Sequence, residues 1–94
     1  MKSKDDVIIV TKNLNQMKWL KNHGITGKIK SYISIDEAAG KHIIGAVPYV
    51  VGAAALDVTL IDCKPIGTIK SKDMTSEQLE AQNAELRTYR VIPL

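Results

Sequence analysis

The chain has 94 residues, 45% of them hydrophobic and 24% charged, with a formal net charge of +3. These values exclude a disordered chain, a fibrous repeat and two separately folded halves, and leave one domain, residues 1–94, with a modest core. A single cysteine, Cys63, excludes an intramolecular disulfide and a clustered Cys/His metal site and favours a reducing cytoplasm.

Met1 to Asp6 is polar and lacks the apolar core of a signal peptide. Val7-Ile8-Ile9-Val10 is then a continuous β-branched run, the pattern of a strand buried on both faces of a parallel sheet. Asn13 is placed to cap a helix, with Gln16 as its capping-box partner, and Leu14, Met17 and Leu20 recur at helical spacing. His23-Gly24 ends that helix, since glycine readily takes the left-handed conformation of a terminator.

Ile29 to Ile35 alternates apolar and polar residues and predicts a half-buried strand, with Asp36 to Gly40 as a loop. His42 to Val47 reads as a short apolar strand, and Pro48 stands where the next helix, Tyr49 to Leu56, begins. The apolar run Ile43 to Leu56 is interrupted by Pro48 and is too short to cross a bilayer, so no membrane association is expected. Val58 to Ile61 is the next buried strand, and a loop follows from Asp62 to Asp73. Thr75 opens the last helix with Gln78 in capping-box register, Leu79 and Leu86 lying two turns apart on one face. Tyr89 to Ile92 predicts a final strand.

Strands alternating with helices imply an α/β fold, with right-handed crossovers in a Rossmann-like three-layer sandwich whose sheet is mainly parallel. In such sheets ligands bind beyond the carboxyl ends of the strands, which directs attention to Thr11-Lys12-Asn13, Asp36, Gly45 to Tyr49 and Asp62 to Lys72. No G-x-G-x-x-G, P-loop, G-x-S-x-G or H-E-x-x-H is present, so the standard dinucleotide, ATP and metallohydrolase chemistries lack their residues. What stands at the binding edge is basic. Val7 to Ile35 holds five lysines and no acidic residue, whereas Glu77, Glu80 and Glu85 crowd the later part.

Lys12 and Asn13 join a strand to a helix N-terminus, where free N–H groups favour an anion, and Lys70-Ser71-Lys72 offers a second phosphate grip. The alternative readings are a plain helix cap for Asn13 and solvated loops for the lysines. His23 at a helix end reads as a surface residue, while His42 beside a buried strand is open between packing and catalysis. Trp19 and Met17 suit the core or a dimer face. Asp36 serves equally to end a strand or to orient a ligand hydroxyl, and Cys63, which no basic partner marks as a nucleophile, reads as a small buried hydrophobe.

Thr11-Lys12-Asn13, Trp19 with Gly24-Ile25, Ile35-Asp36, Ile44-Gly45-Ala46-Val47-Pro48, Lys70 with Asp73-Met74-Thr75, and Tyr89 with Val91 occur in an order that resembles a small accessory family of type III CRISPR systems. The resemblance spans nearly the whole chain through short motifs. It implies a Rossmann-like fold related to the CARF sensor domain, a homodimer, and binding or degradation of cyclic oligoadenylate second messengers by a cytoplasmic ring nuclease of antiviral defence. A cyclic tetra-adenylate with two-fold symmetry matches two equivalent basic edges across an isologous dimer.

The reaction so implied is attack of a ribose 2′-OH on its adjacent phosphodiester, giving a linear product with a 2′,3′-cyclic phosphate and requiring neither metal nor cofactor. Lys12, Asn13 and Lys70 are the catalytic candidates on this basis, with Thr11, Asp36, Gly45, Pro48, Ser71 and Lys72 binding the ligand. No stable DNA binding is expected. The chain departs from the family pattern at Lys12-Asn13, where relatives carry Arg-His, at Lys41, where an acidic residue follows the glycine, and at Lys70-Ser71, a loose match to Arg-Gly. Cleavage, non-catalytic sequestration of the same ligand, and a protein-interaction module therefore all remain open at this point.

Overall fold

The computed structural model describes residues 6–94. Of the polar stretch before the first strand, residues 1–5 lie outside the described residues. The elements are β1 (Val7–Val10), α1 (Leu14–Asn22), β2 (Lys28–Lys30), α2 (Ile35–Ala38), β3 (His42–Ile44), α3 (Tyr49–Ala54), β4 (Asp57–Asp62), a 3₁₀ turn (Ser71–Asp73), α4 (Ser76–Ala81) and β5 (Glu85–Tyr89). The fold is α/β. One five-stranded sheet runs in the order β2-β1-β3-β4-β5, and every pairing is parallel except β4 with β5.

The β1 run is buried at all four positions because β1 lies inside the sheet with helices over both faces. Alternation along the strand then divides the core in two. Val7, Ile9 and Ile44 pack with Trp19, Leu20, Met74 and Leu79, which places α1 and α4 on one face. Ile8, Val10, Ile43 and Val58 pack with Ile33, Ala38 and Val51, which places α2 and α3 on the other.

Five sequence expectations are corrected. The strand expected over Ile29 to Ile35 is only Lys28–Lys30, paired to β1 alone at the sheet edge. The remainder leaves the sheet because Ile33 inserts into the core, at 2% exposure, while Ser34 and Glu37 close a full capping box that starts α2 where a loop was expected. β3 stops at Ile44, short of the expected Val47, because Gly45 turns away with φ 130° while its N–H still reaches the Thr59 carbonyl at 2.9 Å.

The last two corrections share a cause. α4 ends at Ala81, and Asn83 takes a left-handed conformation with φ 54°, so Leu86 belongs to β5 rather than to the helix. β5 covers Glu85–Tyr89 instead of Tyr89 to Ile92, and it starts beside the end of β4, Glu85 opposite Asp62. A strand that begins where its neighbour ends can only run back antiparallel. The expected caps at Asn13 and Thr75 form, the latter as a complete box with Gln78.

Among the described residues no helix is long and apolar enough to cross a membrane.

Candidate functional site

The strand order reverses between β2-β1 and β3-β4, so the loops after β1 and β3 diverge and leave a crevice at the carboxyl ends of the strands. Thr11 extends the β1–β2 ladder by one bond, its N–H to the Lys30 carbonyl at 3.0 Å. The Thr11 hydroxyl then organises the turn. It accepts from the Asn13 N–H at 3.0 Å and donates to Gln16 Oε1 at 3.3 Å. Gln16 is thus tied to Thr11 rather than returning to the Asn13 backbone, which replaces the expected capping box by an interlocked turn.

Asn13 uses both ends of its amide. Oδ1 accepts from the N–H groups of Asn15 and Gln16 at 2.9 and 3.1 Å, capping α1, while Nδ2 donates to the Lys72 carbonyl at 2.6 Å. The second bond fastens the loop before α4 to the loop after β1 across 59 positions of sequence. The same loop is anchored by Met74, whose side chain is fully buried, and shaped by the Asp73 N–H to Lys70 carbonyl bond at 2.9 Å.

Between these loops lies a pocket of about 230 Å³, with Thr11, Gln16, Gly45, Ala46, Ser71 and Lys72 at its rim and Ile9, Leu20, Ile44 and Ile61 below. Gly45 is required there by space. A Cβ at this position would stand 2.1 Å from the Val10 carbonyl oxygen, at a φ that L side chains rarely adopt.

Thr11, Gly45, Ser71 and Lys72 therefore meet in one pocket, and Asn13 joins them through Lys72. Lys12 and Lys70 are exposed on the flanking loops and do not line it, Lys70 standing before the 3₁₀ turn. Pro48 precedes α3 as its N-cap, one loop away, and Asp36 lies exposed in the first turn of α2, in the other helical layer. Gln16 enters the pocket wall unannounced by the sequence reading. Its polarity at a helix position facing the sheet was the available signal.

Charge is distributed unevenly among the lysines. Lys18 pairs with Glu77 at 3.1 Å, Lys30 with Glu37, and Lys41 with Asp6 at 3.6 Å. Lys12, Lys70 and Lys72, by contrast, have no acidic partner among the described residues. Asp73 is the one carboxylate in the three loops. The rim of the pocket thus carries hydroxyls, an amide and Lys72, with Lys12 and Lys70 on the loops beside it, a set suited to a phosphate or another oxyanion.

Neither histidine reaches this pocket. His23 ends α1, stacked at 4.2 Å on Trp19, which is buried in the core, and bonded to Glu80 at 2.5 Å. His42 stands at the opposite end of the sheet. Cys63 follows β4 with its thiol 3.8 Å from the Met74 sulfur, and desolvation together with the Asp62 carboxylate pushes the thiol pKa up, away from a nucleophilic thiolate.

Comparison of the chain with protein-family models, with curated proteins and with solved structures finds no match.

Proposed function

We propose that the chain binds cyclic oligoadenylate, with cyclic tetra-adenylate as the preferred ring, in a cytoplasmic homodimer of Rossmann-like subunits, and opens the ring slowly without a metal. The observation that carries this reading is the joining of the Thr11–Asn13 loop to the Ser71–Asp73 turn by the Asn13–Lys72 bond, which sets Lys72 at the pocket rim and Lys12 and Lys70 on the flanking loops, none with an acidic partner among the described residues. A pocket of about 230 Å³ has room for only part of a four-nucleotide ring. A two-fold ligand spanning two copies uses both pockets without requiring either to be larger.

Ring opening follows from positioning. The 2′ oxygen forms a bond to the adjacent phosphorus, the P–O5′ bond breaks, the 2′ proton passes to water, and the departing 5′ oxygen is protonated by water. Lys72, with Lys12 and Lys70 from the flanking loops, stabilises negative charge on the phosphoryl oxygens, while Thr11 and Ser71 hold the ribose in line for attack and Asn13 fixes the loops that carry them. Among the described residues no histidine or carboxylate lines the pocket to accept the proton, so the reaction is slow.

A second reading, sequestration without cleavage, is favoured by one specific observation: both ends of the Asn13 amide are engaged in holding the loops, which leaves it no part in proton transfer. Incubating excess protein with radiolabelled cyclic tri-, tetra- and hexa-adenylate in EDTA separates the two. Linear products support ring opening, intact retarded ligand supports sequestration, and free intact ligand removes both readings. Lys12→Ala and Lys70→Ala are each expected to weaken binding about 10- to 150-fold, the range of one charge-assisted hydrogen bond. Wild-type affinity in both variants would remove the assignment of this edge.

A further inference from the structure

A second group of polar side chains lies at the opposite ends of the same strands. The sheet face under α1 and α4 is apolar at Val7, Ile9 and Ile44, with Ile61 and Leu86 packed against that core. By the two-residue alternation of strands, His42, Asp57, Thr59 and Thr88 occupy the same face, near its amino-terminal end. Register sets them in pairs, His42 opposite Asp57 and Thr59 opposite Thr88. His42 Nδ1 is 2.9 Å from Asp57 Oδ2, and the two threonine hydroxyls are 2.9 Å apart.

These groups are withdrawn from water. The side chains of His42 and Asp57 are only 20% and 22% exposed, and Thr59 is buried. Asp57 Oδ1 is buried with no hydrogen-bond partner among the described residues. Polar residues on a core face oppose folding, and such departures from an apolar pattern concentrate where a protein binds something.

Beside them opens a cavity of about 320 Å³, walled by Gly24, Ile25 and Thr26 after α1, by Val7 and Leu86, and by His42 and the threonine pair. The Asp57 carboxylate offers only lone pairs, so His42 Nδ1 donates to it, which leaves Nε2 as the imidazole nitrogen open to a ligand, an acceptor in the neutral form. The lining mixes one imidazole and three threonine hydroxyls with the aliphatic side chains of Val7, Ile25, Ile44 and Leu86, and among the described residues it holds no lysine, arginine or carboxylate.

We propose that this cavity binds an uncharged ribonucleoside, with a sugar hydroxyl donating to His42, the threonine hydroxyls completing the polar contacts, and the base lying on the aliphatic side chains. Its volume accommodates one nucleoside. With no lysine or arginine among its described lining residues, the cavity disfavours a nucleotide, which separates it from the pocket with Lys72 at its rim at the other edge. The proposal is independent of whether that pocket takes cyclic oligoadenylate.

The test is an NMR titration of the full ¹⁵N-labelled chain with adenosine, guanosine, cytidine and uridine, each to about 5 mM so that millimolar affinity registers, and with adenosine monophosphate and ribose alongside. Saturable shifts confined to Thr26, His42, Thr59 and Thr88 are expected for at least one nucleoside. Thr59→Val, a change of shape-matched side chain, is expected to weaken that binding about fivefold or more, the value of one hydrogen bond. Should Thr59→Val unfold, Thr88→Val on the exposed edge strand reads the same contact.

Four outcomes overturn the proposal: no saturable shift with any nucleoside, equal binding of the monophosphate or of ribose alone, shifts centred on Thr11 and Gly45 instead, or unchanged affinity in a folded threonine variant.

Discussion

Gly45 shows how much one residue decides at the carboxyl edge of the sheet. With φ 130° and a would-be Cβ 2.1 Å from the Val10 carbonyl oxygen, the backbone of β3 passes β1 at a distance that any side chain would forbid. Gly45→Ala must therefore strain the turn and push β3 from β1, at a cost of about 2–4 kcal/mol. A urea denaturation series is expected to show the corresponding fall in midpoint with an unchanged slope, and a midpoint equal to wild type would refute the steric argument. The neighbouring Asn13 was legible as a cap from sequence, because side-chain oxygens satisfy helix N–H groups locally. Its bond to the Lys72 carbonyl was not legible, since nothing local relates two residues so far apart in the chain.

At the scale of elements, α1 and α4 illustrate which contacts hold and which merely decorate. Their inner faces meet through Trp19, Leu20 and Leu79, all buried, so apolar burial supplies the attachment. Lys18 with Glu77 and His23 with Glu80 lie outside on the same pair of helices and are exposed, where ion pairs add little. The His23 hydrogen bond nevertheless holds the Glu80 carboxyl below the ordinary carboxylate range.

A depressed folded-state value means that the contribution is present above the unfolded pKa and is lost as pH falls through the folded one. Glu80→Gln is thus expected to be slightly less stable than wild type near neutrality and to converge with it below about pH 4.5, which flattens part of the acid decline. Chemical denaturation at several acid pH values would check this, and an identical acid slope in the variant would contradict it. The α2 and β5 elements, both missed or misplaced in sequence, have local signatures in hindsight: Ser34 and Glu37 form a capping box, and Asn83 is a residue type tolerant of left-handed backbone. The alternation of Ile29 to Ile35 obscured the first, and the spacing of Leu79 and Leu86 the second.

Considered whole, the molecule has two chemically distinct ends on one sheet. The carboxyl edge carries Lys12, Lys70 and Lys72, with no carboxylate partner among the described residues, while the amino edge carries the His42–Asp57 pair and the threonine hydroxyls beside a second cavity. If two copies share one cyclic tetra-adenylate, isothermal titration is expected to give one ligand per two chains, with affinity falling as salt is raised because the ligand charge is met by exposed lysines. A stoichiometry of one ligand per chain would remove the shared-ring arrangement.

The sequence by itself determined the α/β class, β1 and its burial on both faces, the caps at Asn13 and Thr75, and the polar, basic character of the loops after the strands. These follow from period and local hydrogen bonding, which operate over a few residues. Tertiary structure alone decided the antiparallel return of β5, the early end of β3, the convergence of Thr11, Gly45, Ser71 and Lys72 on one pocket without Asp36 or Pro48, and the meeting of His42 with Asp57. Each depends on which strands become neighbours and in what register, and that choice is made by packing across the whole sheet.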